Sequence, residues 1–272
     1  MGNWSHKTEL VSRANSWVRK MDSKERESTQ ATVLKSVNYA DSIDTSITHL
    51  DHNHDTRYGV VNETTVDEII RMGTNIMMRQ YKIAALNFAS FKHPGGAFLN
   101  GANAQEEHLC HYSNLYNILG NFKDSFYEVN KKKLNKGFYT SNLLYLPDVV
   151  FIKGTIQVPC DIITCAAPNA RVVQRYNMGS DVDIKDTLYD RIDHILYAAA
   201  DNQVELLILG AFGCGVFKND AHDVADTFYT LLTNKYKGIF EFVSFAIPNI
   251  QSEYNYNAFL ERFNGVLNES SQ

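Results

Sequence analysis

Two adjacent carboxylates, Glu106 and Glu107, follow Gln105 in the stretch HPGGAFLNGANAQEEHLCHYSNLY, residues 93–116, shortly after the turn Pro94-Gly95-Gly96. Carboxylates move protons, and a glycine turn exposes backbone N–H groups that can hold an anion. Together they imply acid–base chemistry beside a negatively charged part of a substrate. Neighbouring residues on a helix point about 100° apart. Glu106 and Glu107 therefore cannot face each other across one bond, as the paired carboxylates of most glycosidases do. One must transfer the proton while the other orients the substrate. Acids at a helix start also serve as plain dipole complements. A helix N-terminus favours a charged carboxylate and burial favours the neutral acid, and the sequence leaves that balance open.

A second glycine cluster lies about 110 residues downstream, in GAFGCGVFKND at 210–220. Gly210, Gly213 and Gly215 let the backbone approach a ligand, and a helix capped by Asn219 or Asp220 adds free N–H donors. Such a loop can cradle a diphosphate, and glycines placed this way also serve simply to let helix and sheet pack closely. The G-x-x-G-x-G spacing is not the dinucleotide fingerprint, and the lysine-serine/threonine of a phosphate-binding P-loop is absent. A third loop, TCAAPNA at 164–170, has the same strand-end character.

Strands and helices alternate from about residue 58 and must position these loops. YGVVN (58–62), KIAALNFA (82–89), DVVFIKG (148–154), CDIITC (160–165), VELLIL (204–209) and the apolar part of IFEFVSFAIPN (239–249) read as strands. Helical spacing marks 64–80, 105–122, 184–202 and the segment after Asp220. Uniformly apolar strands between helices predict an α/β fold whose mixed, largely parallel sheet is covered on both faces. In such a sheet the loops after residues 89, 165 and 209 share one rim, where ligands bind. Residues 1–57 lack the apolar content for a core of their own and form an N-terminal extension on a body of 58–272. Within it, residues 9–21 suit one amphipathic helix and 22–30 an exposed segment.

Composition narrows the function further. Hydrophobic residues make up 44%, enough for a sizeable core, and the net charge of −5 provides no global field for a polyanion. Cys110, Cys160, Cys165 and Cys214 show no metal-binding spacing, so no zinc site is expected and reduced thiols in a cytoplasmic protein are. There is no signal-peptide pattern and no apolar run of membrane-spanning length. Met1-Gly2 lacks the downstream serine or threonine of a myristoylation signal, where His6 stands. Asp51, His52, His54 and Asp55 read as solvated surface, and Cys110, His108 and His111 as helix packing and surface.

These loops, in this order, resemble the microbial-type poly(ADP-ribose) glycohydrolases, a branch of the macrodomain fold. The similar stretches are LNFASFKHPGGAFLNGANAQEEHLC, SNLY, ITCAAPNA and LILGAFGCGVFKND, within roughly 58–250. The resemblance implies a three-layer α/β/α body and hydrolysis of a ribose–ribose bond with no metal or redox cofactor; the acidic net charge suits end-on capture, so exo-type release of ADP-ribose is expected. Glu107 would be the catalytic acid and base, Glu106 would bind ribose hydroxyls, and Gln105 would fix the loop. Asn87 and Asn100 would contact the distal ribose, and Gly95, Gly96 and Ala97 would pass close to it. Gly213, Cys214, Gly215 and Val216 would cradle the diphosphate, with Phe217 packed on the nucleotide. Partners would be the polymer or an ADP-ribosylated protein, with no membrane and no sequence-specific nucleic acid. Removal of single ADP-ribose units and non-catalytic ADP-ribose reading are the alternatives. The family's third glycine is Ala97 here; were that site at positive φ, alanine would cost about 1 kcal/mol or more. The intact carboxylates imply that activity survives.

Overall fold

Along Ile83–Phe88, Ala84 and Leu86 point into one hydrophobic core while Ile83 and Ala85 point into another. A strand with apolar residues on both faces must be covered on both, and this one is. The computed structural model describes residues 2–48, 50–250 and 252–269. In chain order the elements are α1 (Gly2–Lys24), α2 (Arg26–Lys35), β1 (Val37–Tyr39), β2 (Arg57–Val61), α3 (Thr65–Thr74), β3 (Ile83–Phe88), α4 (Gln105–His111), α5 (Leu115–Leu119) and α6 (Glu128–Lys131). They continue with β4 (Leu143–Lys153), β5 (Ile156–Cys165), α7 (Ala170–Arg175), α8 (Asp181–Asp201), β6 (Leu206–Leu209), α9 (Ala221–Thr233), β7 (Phe242–Ala246) and α10 (Glu253–Glu269).

The seven strands run in the order β1-β4-β5-β3-β6-β7-β2. From β5 to β2 every pairing is parallel, while β4 is antiparallel to both β1 and β5. The sheet is thus mixed and largely parallel, with helices on both faces, as expected. The carboxyl ends of β2, β3, β5, β6 and β7 share one rim.

Three helix readings change. Residues 105–122 are not one helix: after His111 the chain is drawn out towards β4. Ser113 bridges Phe151, Tyr112 O accepts from Ile152 N at 2.6 Å, and Asn114 Oδ1 accepts from Val150 N at 3.0 Å. The helix expected over 64–80 ends at Thr74. Residues 22–30 are helical rather than an exposed segment, because α2 buries Thr29 and Thr32. Asn114 Nδ2 donates to Thr29 Oγ1 at 3.0 Å, a long-range contact that tethers α2. Nearby, the Trp17 indole N–H donates to Ser113 O at 2.8 Å, seating α1 on the same flank. Asp220, not Asn219, caps α9, accepting from the N–H groups of His222 and Asp223.

Candidate active site

The segment after β3 turns back on itself and is pinned by Gln105, the first residue of α4. Its Nε2 donates to Leu86 O at 2.8 Å and Thr65 Oγ1 at 3.2 Å, and its Oε1 accepts from Phe88 N at 2.9 Å. Strand end, α3 and α4 are thereby tied through one side chain, which presents the next two residues to the turn.

Glu107 is 6% exposed and accepts two backbone hydrogen bonds, from Ala97 N (2.9 Å) and Ala104 N (3.1 Å). The second is the reach-back arm of a capping box. Glu106 is 3% exposed, with Oε2 accepting from Ser90 N at 2.7 Å and Oε1 from Asn87 Nδ2 at 3.3 Å. Burial pushes its carboxyl up to about 8, the neighbouring Glu107 charge adding to this while the Ser90 and Asn87 hydrogen bonds oppose it.

Gly95 and Gly96 stand at φ 64° and 62°, a region costly for side-chain-bearing residues. A Cβ on Gly96 would lie 2.4 Å from Glu107 Oε1 and 3.0 Å from Glu106 Oε2, and one on Gly95 would lie 2.6 Å from the Tyr116 ring. The glycines are demanded by the protein's own groups beneath the turn. Ala97, at φ −108°, lies outside the left-handed region, so the strain considered for alanine there does not arise.

A cavity of about 350 Å³ opens on the same rim, lined at one end by Thr64, Thr65, Pro248, Ser252 and Asn255 and at the other by Ala167 and Phe217. Gln105, Gly213, Gly215 and Val216 also line it. Gly213 (φ 73°) is packed against Asn219 and Ala167, either of which a Cβ would meet within 2.5 Å. Cys214 does not line the cavity: it is buried beneath the loop, which pushes its thiol well up. Phe217 packs edge-on to Tyr139 at 6.0 Å, and Tyr139 stacks on Phe91 at 4.2 Å. Ser90 N holds Glu106 and precedes Phe91, so the turn over the carboxylates is continuous with this aromatic stack, although Glu106 and Glu107 do not themselves line the cavity.

Two expected ribose contacts fall elsewhere. Asn87 is fully buried with its amide directed to Glu106 and Thr164, because its side chain points into the helix-covered face of the sheet. Asn100 is exposed at the end of a short turn, Phe98–Asn100, which packs on α1 rather than on the cavity. His108 lines the cavity, whereas Cys110 sits behind Gly95 and His111 packs edge-on to Phe98 at 4.6 Å. His52 Nδ1 and His54 Nδ1 meet Lys237 O and Glu241 at 2.8 and 3.2 Å. Among the described residues no cluster of three or more His, Cys, Asp or Glu could hold a metal ion.

The sequence profile of the catalytic domain of microbial-type PARG, poly(ADP-ribose) glycohydrolase, matches residues 7–154. This chain belongs to that family. Its fold is similar to the poly(ADP-ribose) glycohydrolase of Thermomonospora curvata, with 29% identity, a TM-score of 0.84, and coverage of 94% of this chain and 100% of that one. The same enzyme bound to the inhibitor ADP-HPD matches at 29% identity and TM-score 0.83, with the same coverage. The Deinococcus radiodurans glycohydrolase in complex with ADP-ribose matches at 32% identity and TM-score 0.79, covering 88% of this chain and 98% of that one. No curated protein sequence matches. The family match takes in α1 from residue 7 and all of α2, ahead of the stretches that carry the resemblance in the sequence.

The sequence reading missed Thr64, Thr65, Pro248, Ser252 and Asn255. These follow β2 and β7, whose carboxyl ends join the same rim, so applying the strand-end rule to every parallel strand would have found them.

Glu106 in this glycohydrolase fold also carries a pH prediction. Folded protein keeps the proton on Glu106 between about 4.5 and about 8, where the unfolded chain has released it. The stability this contributes is complete below the lower value and is lost as pH rises through the upper one. Glu106→Gln removes the titration. Its thermal midpoint relative to wild type is expected to rise across this window, following up to ~1.4 kcal/mol per pH unit, and to level off above it. A pH-independent difference in melting scans would place Glu106 in solvent.

Proposed function

We propose that the protein hydrolyses the ribose–ribose O-glycosidic bond of poly(ADP-ribose), releasing ADP-ribose from chain ends. The observation that carries this is the held carboxylate of Glu107 beneath the Gly95-Gly96 turn, in a chain of the glycohydrolase family. The cavity takes the nucleotide end of ADP-ribose, with the backbone of Gly213–Phe217 along the diphosphate and the distal ribose towards Phe217 and the carboxylates. Glu107 protonates the leaving ribose oxygen as the C–O bond breaks. Water adds to the oxocarbenium-like ribose and returns its proton to Glu107. Glu106, Gln105 and Asn87 position the turn, the first two by direct contact with its backbone and strand.

The net charge of −5 supports capture of one chain end over tracking along a polyanion. Residues 58–272 carry the chemistry and 1–57 brace them, Lys7 and Val11 lying against Gly101 of the loop. Among the described residues no helix is long and apolar enough to cross a membrane, and the four cysteines are free and buried. The cysteines suit a reducing compartment such as the cytoplasm. Incubation of purified protein with poly(ADP-ribose) is expected to yield ADP-ribose, read by chromatography. ADP-ribose binding without turnover on polymer or on ADP-ribosylated protein would make it a reader instead.

A further inference from the structure

Beyond the aromatic end of the cavity the surface changes character. Asn169 N donates to Gly137 O at 2.8 Å and Arg171 N to Phe217 O at 2.9 Å, which brings the neighbours Lys136, Arg171 and Lys218 onto one face. Arg175 lies one turn along α7 from Arg171, its guanidinium 5.7 Å from the Tyr176 ring centroid, and Lys92 follows the stacked Phe91. Lys136, Arg171, Arg175, Lys218 and Tyr176 are exposed.

None of these five cations forms an ion pair among the described residues. Elsewhere Lys35, Lys82, Lys185, Lys235 and Arg262 each lie within 3.5 Å of a carboxylate. With 31 acids against 26 bases, the chain has carboxylates to spare, yet among the described residues none pairs with these cations. Acids on the adjoining elements are otherwise engaged: Asp183 accepts from Ser180 N at the start of α8, Asp181 accepts from Gln174 at 3.1 Å, and Asp220 caps α9. Lys136 and Lys218 stand at φ 55° and 62°, where glycine would be less strained by about 1 kcal/mol. Cationic side chains occupy both positions nonetheless.

We propose that this face, centred on Lys136, Arg171, Arg175 and Lys218 with Tyr176 among them, docks the polymer on the leaving-group side of the scissile bond. The proposal rests on the hydrolysis reading. That reading places the bond at the carboxylates, and the face adjoins the Phe91–Tyr139–Phe217 stack that follows their turn. Each polymer unit beyond the bond presents a diphosphate and an adenine. Unpaired cations receive the first and an exposed ring stacks on the second. A local basic face also reconciles a polyanionic substrate with a net acidic chain.

The test is polymer binding to the Glu107→Gln protein by fluorescence anisotropy, with and without Lys136→Glu, Arg171→Glu and Arg175→Glu together. A control carries Lys24→Glu, Arg79→Glu and Lys237→Glu, exposed cations far from the cavity with the same total charge change. The face variant is expected to bind long polymer about tenfold more weakly at low salt, with the slope of log Kd against log salt reduced by ~2. Its ADP-ribose affinity by calorimetry stays at the parent value, which also reports an intact fold. The control triple should match its parent. Equal loss in both triples, unchanged polymer binding, or a parallel loss of ADP-ribose affinity overturns the proposal. Absence of hydrolysis by wild type would overturn the functional reading alone, since polymer binding is read separately.

Discussion

Glu107→Gln is expected to cut release of ADP-ribose from poly(ADP-ribose) by ~10³-fold, within the range general acid–base catalysis supplies. ADP-ribose affinity should stay within about threefold of wild type, because glutamine keeps the shape and leaves the cavity walls in place. The substitution does disturb one local contact. Both carboxylate oxygens accept backbone N–H groups, from Ala97 and Ala104. Glutamine has one acceptor oxygen, so one of these donors meets an NH₂ group and loses its partner. That costs about 1–3 kcal/mol of stability. Turnover must therefore be compared at a temperature where circular dichroism shows both proteins folded. A variant keeping more than about a tenth of wild-type turnover would move proton transfer to another group, and Glu106 is the nearest.

The sheet was legible because its strands carry their burial in their composition. Leu206–Leu209 is apolar throughout and Ile83–Phe88 at all but Asn87, so both faces had to be covered, and the order of loops then placed the site at one rim. What escaped depends on contacts distant in sequence. Helical spacing through 105–122 continues past His111, but the ladder to Phe151 and Ile152 interrupts it, and periodicity cannot register a competing strand. Thr29 looks like a surface residue until Asn114 reaches it from 85 positions away. Within the site, residue types were readable and their directions were not. The family resemblance implies that Asn87 contacts the distal ribose, yet its position on β3 turns it onto Glu106. The glycines also have a different reason from the one first read: their missing side chains make room for Glu106, Glu107 and Tyr116.

That reason separates two substitutions that look equivalent. Gly96→Ala adds a methyl at φ 62°, 2.4 Å from Glu107 Oε1 and 3.0 Å from Glu106 Oε2, where both carboxylates are fixed by backbone donors and cannot retreat without losing them. The turn must shift. A displacement of about 1 Å at the reacting centre can cost ~10²-fold in rate, and that loss of turnover is expected here. Left-handed alanine adds about 1–2 kcal/mol of strain, visible as a lower thermal midpoint. Ala97→Gly should do neither. Ala97 already has φ −108° and contributes its N–H to Glu107, a contact glycine preserves. Its turnover is expected within about threefold of wild type, with a small loss of stability from the freer unfolded chain. Steady-state kinetics on polymer and melting curves for both variants decide the matter. Wild-type turnover in Gly96→Ala would mean that the turn leaves the carboxylates when substrate binds. A tenfold gain in Ala97→Gly would mean that the methyl obstructs the ribose, making this position the one that sets the enzyme's rate.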